Sequence, residues 1–91
     1  MSNLKRISFT VYGTVQGVGF RDFVQRRAAS YGVTGYVKNT STGEVTGEAQ
    51  GDRDSLKKLK ADLNNGPRAA HVVKLVTKDL DPKEGESSFD A

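Results

Sequence analysis

The sequence predicts an α+β fold, a two-layer sandwich in which an antiparallel sheet carries two helices on one face. Segments of hydrophobic period two and segments of helical spacing follow one another in the order β-α-β-β-α-β. Glycines and turn residues stand at the joints between them. Right-handed crossovers then put strand one parallel to strand two, with strand three between them and both helices on one side. The 91 residues are enough for one core and too few for two, so a single domain over 1–91 is expected.

The first strand runs from Lys5 to Gly13, with Ile7, Phe9 and Val11 alternating with Ser8, Thr10 and Tyr12. After a glycine-rich stretch, Phe20, Phe23, Val24, Arg27, Ala28 and Tyr31 recur at three- and four-residue spacing, the stripe of a helix that Gly32 closes. Period two returns from Val33 to Asn39, with Val33, Gly35, Val37 and Asn39 on one side. Thr40-Ser41-Thr42-Gly43 is turn chemistry and predicts a hairpin into a third strand, where Val45, Gly47 and Ala49 alternate with polar residues as far as Gly51. Asp52 caps a second amphipathic helix carrying Leu56, Leu59 and Leu63, which Asn64-Asn65-Gly66-Pro67 ends. Ala70 to Val76 read as a fourth strand with imperfect alternation, followed by a polar loop from Asp81 to Glu86. The tail Ser87 to Ala91 holds one apolar residue, Phe89, and reads equally as a short edge strand or a frayed end. This order is the split βαβ arrangement called ferredoxin-like.

Composition narrows the function classes. With 35% hydrophobic and 27% charged residues the chain has enough apolar surface to fold unaided. The absence of cysteine excludes a disulfide scaffold, a thiolate nucleophile and a sulfur-ligated zinc site. No stretch approaches the roughly twenty apolar residues of a membrane span, and no secretory signal opens the chain, so a cytoplasmic protein with no membrane partner is expected. The formal charge of +3 favours an anionic partner without naming one.

Gly13, Gly17 and Gly19 fall within seven residues between a strand and a helix that starts near Phe20 or Arg21. Glycine permits positive φ, turning successive N–H groups inward, and the helix start adds unpaired donors and partial positive charge. Arg21 in that first turn opposes the helix dipole unless an anion satisfies both, and its planar guanidinium can fork to phosphate. Spacing alone leaves two readings open, an anion cradle or an ordinary turn beside a solvated arginine. The loop is no Walker A motif, since no Lys-Ser or Lys-Thr follows the last glycine, and Asp22 stands where a dinucleotide fingerprint needs its third glycine.

The run Val11-Tyr12-Gly13-Thr14-Val15-Gln16-Gly17-Val18-Gly19-Phe20-Arg21 closely resembles the signature of the acylphosphatases, and Gly35-Tyr36-Val37-Lys38-Asn39 resembles that family's second block. Gly43-Glu44-Val45, Gln50-Gly51 and Gly66-Pro67 extend the resemblance over about residues 5 to 76. The family usually finishes with a short aromatic and basic strand, whereas this chain finishes Ser88-Phe89-Asp90-Ala91.

The resemblance implies hydrolysis of the carboxyl–phosphate bond of acyl phosphates by a monomer with no cofactor and no metal. Inorganic phosphate would be both product and inhibitor. By the same resemblance Arg21 and Asn39 are the catalytic pair, the first holding phosphate and the second orienting the attacking water. The substrate-binding set is Val15, Gln16, Gly17, Val18, Gly19, Phe20 and Arg21. His71, the one histidine, reads as a surface residue, and Phe20, Phe23 and Tyr31 as core. An RNA-binding module of the same topology is the rival, because Gly17-Val18-Gly19-Phe20-Arg21-Asp22-Phe23 partly matches an RNP1 motif. RNP1 belongs on a third strand, however, and here the motif precedes a helix, so no nucleic-acid partner is expected. A carbamoyl-phosphate-binding or regulatory domain of the same family is a second alternative.

Overall fold

The computed structural model describes residues 4–91; Met1, Ser2 and Asn3, included in the expected domain, lie outside the described residues. Strands β1 (Lys5–Thr14), β2 (Thr34–Asn39), β3 (Val45–Gly51), β4 (His71–Leu80) and β5 (Phe89–Asp90) form one sheet in the order β4-β1-β3-β2-β5. Helices α1 (Phe20–Tyr31) and α2 (Arg53–Asn65) pack on it. β1 pairs antiparallel with β3 and β4, and β2 antiparallel with β3, so β1 and β2 run the same way. That is the ferredoxin-like topology expected from the element order.

The period-two positions do what their spacing dictates. Ile7, Phe9 and Val11 of β1, Val37 of β2, and Val45 and Ala49 of β3 are buried together with Phe20, Val24 and Ala28 of α1 and Leu56, Leu59 and Leu63 of α2. Burying a leucine or phenylalanine of this kind contributes about 1.5–3 kcal/mol. Phe23 and Tyr31 sit at the core's margin, and Arg27, on the same stripe, stays exposed with its guanidinium 5.4 Å from the Phe23 ring centroid. α2 opens on Asp52, whose carboxylate accepts from the Ser55 amide at 2.7 Å and is held below its ordinary pKa by that bond.

The four longer strands pair antiparallel, as expected, and the tail adds a fifth that makes the sheet mixed. β5 runs parallel to β2, with Phe89 opposite Gly35 and Asp90 opposite Tyr36. Chain direction explains it. β4 runs against β1 and ends where β1 begins, which is also the end where β2 begins; a chain crossing there enters β5 alongside β2 in the same direction. Phe89 is buried, the Gly35 amide donates to the Ser88 carbonyl at 3.0 Å, and Gln25 donates to the Phe89 carbonyl at 3.1 Å.

The crossing loop is anchored by polar residues on the strand face away from the core. Arg6, 3% exposed, donates to Glu48 at 2.8 Å, to Gln50 at 3.2 Å and to both oxygens of Glu86 at 2.9 and 3.2 Å. Gln50 donates to the Lys83 carbonyl at 2.8 Å and accepts from the Lys83 amide at 2.7 Å. Alternation alone marks Arg6, Glu48 and Gln50 as facing solvent; the loop from β4 to β5 buries Arg6 and Gln50 instead. β4 also continues four residues beyond Val76, because an edge strand half exposed along its length shows little alternation.

Candidate active site

β1 ends at Thr14, and the chain must turn back within five residues to start α1. Val15 and Phe20 are buried and Val18 packs against the core, so apolar side chains pin the loop from inside and leave Gly17 and Gly19 exposed. Both glycines take left-handed φ, 74° and 75°, and a Cβ on either would meet nothing within 4 Å. Their requirement is therefore one of backbone conformation and not of space. Gly13 differs: it lies inside β1 at a register shift against β4, where a Cβ would stand 2.1 Å from the His71 carbonyl oxygen. It shapes the strand end and not the loop.

Gly19 caps α1 without a side-chain bond, and the Phe23 amide is the first of the helix to reach back, to the Gly19 carbonyl at 3.0 Å. Among the described residues no acceptor takes the backbone N–H groups from Gln16 to Asp22. They form a run of donors at the positive end of the helix dipole, the arrangement that binds anions. Arg21, second residue of α1, is exposed beside them. The neighbouring carboxylate does not neutralise it, since Asp22 pairs with Arg26 at 3.1 Å one turn on.

Asn39 is the last residue of β2, paired with Val45 and exposed. Because β1 and β2 run the same way, their C-terminal ends open at the same edge of the sheet. Gln16 ties the two parts together: its side-chain amide donates to the carbonyl of Thr40 at 2.8 Å and to that of Glu44 at 2.9 Å. The glycine loop is thus clamped to the turn that begins one residue after Asn39. That turn is held from within, as the Thr40 hydroxyl accepts from the Glu44 amide at 3.0 Å and the Thr40 amide donates to the Glu44 carbonyl at 2.9 Å.

Sequence reasoning found the turn at Thr40 but not this holding role, and it named Gln16 for the loop without the clamp. Glycines announce backbone geometry, whereas a side chain aimed at two carbonyls leaves no pattern. His71 is exposed, its backbone paired with Thr14 at the base of the loop. Phe20, placed both in the core and in the substrate-binding set, is buried as a side chain, so only its backbone faces the loop.

Comparison with known proteins agrees over nearly the whole chain. The acylphosphatase family model matches residues 7–91. An acylphosphatase of Salinibacter ruber is 44% identical over 86 residues, covering 94% of this chain and 87% of that protein. The solved structure of an acylphosphatase from Coxiella burnetii superposes with a TM-score of 0.91 at 39% identity, covering 97% of this chain and 92% of that one. One from Bacillus subtilis gives 0.90 at 32% identity, covering 94% and 96%. Fold, loop and relatives agree: the chain belongs to the acylphosphatase family.

Proposed function

We propose that this protein hydrolyses acyl phosphates to a carboxylate and inorganic phosphate. The phosphoryl group rests against the amides of Val15 to Phe20, and Arg21 forks onto two of its oxygens. Asn39 holds a water in line with the scissile bond. Water oxygen attacks phosphorus, the bond from phosphorus to the carboxyl oxygen breaks, and the electron pair leaves with the carboxylate. The water proton passes to a phosphate oxygen of the substrate.

The chemistry suits so sparse a set of groups. A carboxylate leaving group has a reference pKa of about 4 and departs without a general acid. A loose phosphoryl transition state asks mainly for charge stabilisation and alignment. Neither demand calls for a metal. The Gln16 clamp is the observation that carries this reading, since it joins the donor-rich loop to the turn beside Asn39.

Turnover of benzoyl phosphate by the purified protein in the presence of a chelator tests the activity and its metal independence together. Arg21→Lys should keep the fold, followed by circular dichroism, and lose most of the rate, because a point-charge ammonium cannot reproduce the planar fork. A wild-type rate in that variant removes Arg21 from phosphate binding.

A further inference from the structure

At the end of the sheet opposite the glycine loop, a groove of about 600 Å³ runs between the first turns of α2, the start of β1 and the end of β4. Its walls carry Lys5, Arg53, Lys57 and Lys60, against a single carboxylate, Asp79. Arg6 also borders it, but Glu48 and Glu86 already neutralise that guanidinium. Four cations against one carboxylate leave an excess of three, equal to the formal charge of the entire chain, +3. None of the four forms an ion pair among the described residues. Beside them lie Ile7 and Leu56, with Leu4 and Leu80 exposed at 46% and 37%.

Spacing indicates the kind of anion. Arg53, Lys57 and Lys60 stand at i, i+4 and i+7 on α2, one face of the helix over about 10 Å of its axis. A single carboxylate or phosphate engages one or two of them and leaves the rest unpaired. Alternate side chains of an extended peptide repeat every ~6.7 Å on one side, so three carboxylates cover about 13 Å and meet the whole row. Apolar residues between them then face the other way, onto the exposed Leu4 and Leu80. β4 is an edge strand, and its outer backbone groups are open to an added segment. No aromatic ring lines the groove to stack on the bases of a single-stranded nucleic acid. We propose that this groove docks an extended peptide segment of a partner protein in which acidic and apolar residues alternate, independently of the hydrolytic site at the other end of the sheet.

A fluorescein-labelled octapeptide of alternating Asp and Leu, titrated by fluorescence anisotropy in saturating inorganic phosphate, tests this. Binding should persist in phosphate and be lost when every Asp is replaced by Asn. Arg53→Gln with Lys57→Gln should raise Kd at least tenfold, while Arg26→Gln with Arg27→Gln, an equal loss of charge on α1, should leave it within twofold. Leu80→Ser changes no charge and should raise Kd several-fold. Retained benzoyl phosphate turnover, or an unchanged circular dichroism spectrum, verifies that each variant is folded. Equal weakening by the two double variants, displacement of the peptide by phosphate, or equal binding of the Asn peptide overturns the proposal. Competition by an octauridylate with the same dependence on Arg53 and Lys57 overturns it in favour of nucleic acid.

Discussion

Removing the Gln16 amide separates the fold's tolerance from the site's precision. The side chain makes two hydrogen bonds, at 2.8 and 2.9 Å, to the Thr40 and Glu44 carbonyls. Each is worth about 0.5–1.5 kcal/mol net. Neither carbonyl is orphaned by the loss, because Glu44 still accepts from the Thr40 amide at 2.9 Å and Thr40 from the Gly43 amide at 3.5 Å. Gln16→Ala should therefore cost about 1–3 kcal/mol, and each kcal/mol lowers Tm by roughly 4–8 °C in a domain this small. Catalysis should suffer more. The loop amides and Arg21 remain to bind phosphate, but nothing then fixes them against the turn beside Asn39, and a displacement of about 1 Å costs on the order of a hundredfold. The expected result is kcat for benzoyl phosphate reduced ten- to a hundredfold, with the inhibition constant for phosphate changed less than about threefold. Gln16→Glu, which aims a carboxylate at two carbonyls, should be worse in both respects. A folded Gln16→Ala protein with full kcat would refute the clamp as a positioning device.

Asn39→Ala should lower kcat by about a hundredfold, as for removal of one preorganised polar group, and leave phosphate affinity unchanged; a weakened affinity with normal kcat reverses the assigned role. Inorganic phosphate should raise Tm in the wild type by mass action and much less in Arg21→Lys; equal shifts would place the bound anion elsewhere. Hydrogen bonds from Arg6 hold the Glu86 carboxyl below its ordinary pKa of 4.5. Its stabilising contribution is therefore complete above about 4.5 and lost as pH falls through the depressed native value. Glu86→Gln should be about 1–2 kcal/mol less stable at pH 7, since Arg6 keeps Glu48 and Gln50, and should lose less stability on acidification. Parallel stability curves for variant and wild type from pH 7 to pH 3 would exclude the pair from acid unfolding.

Element order was legible because it rests on local pattern. Ile7, Phe9 and Val11 can share a face only in a strand, and Leu56, Leu59 and Leu63 only on a helix. The glycine loop was legible for a related reason: positive φ at Gly17 and Gly19 restricts the residue type, so the backbone shape is written into the sequence. β5 is not legible in the same way, because two paired residues with one apolar side chain have no period to detect. The loop that leads into it is held by Arg6 and Gln50, more than thirty residues away in sequence, beyond any local pattern.

The same distinction separates the two halves of the candidate active site. The loop's donors are backbone groups whose geometry glycine announces, and Arg21 follows them directly in the chain. Asn39 is an ordinary strand-end residue by itself, and its relation to Arg21 arises from topology: parallel β1 and β2, separated by β3, deliver both chain ends to one edge. Topology brings them to the same edge and fixes their mutual placement only coarsely. Gln16 supplies the missing constraint through backbone carbonyls that any residue at positions 40 and 44 would offer. A substitution at Thr40 or Glu44 can therefore spare the clamp's acceptors and still loosen the turn, because it is the Thr40 hydroxyl that holds the Glu44 amide.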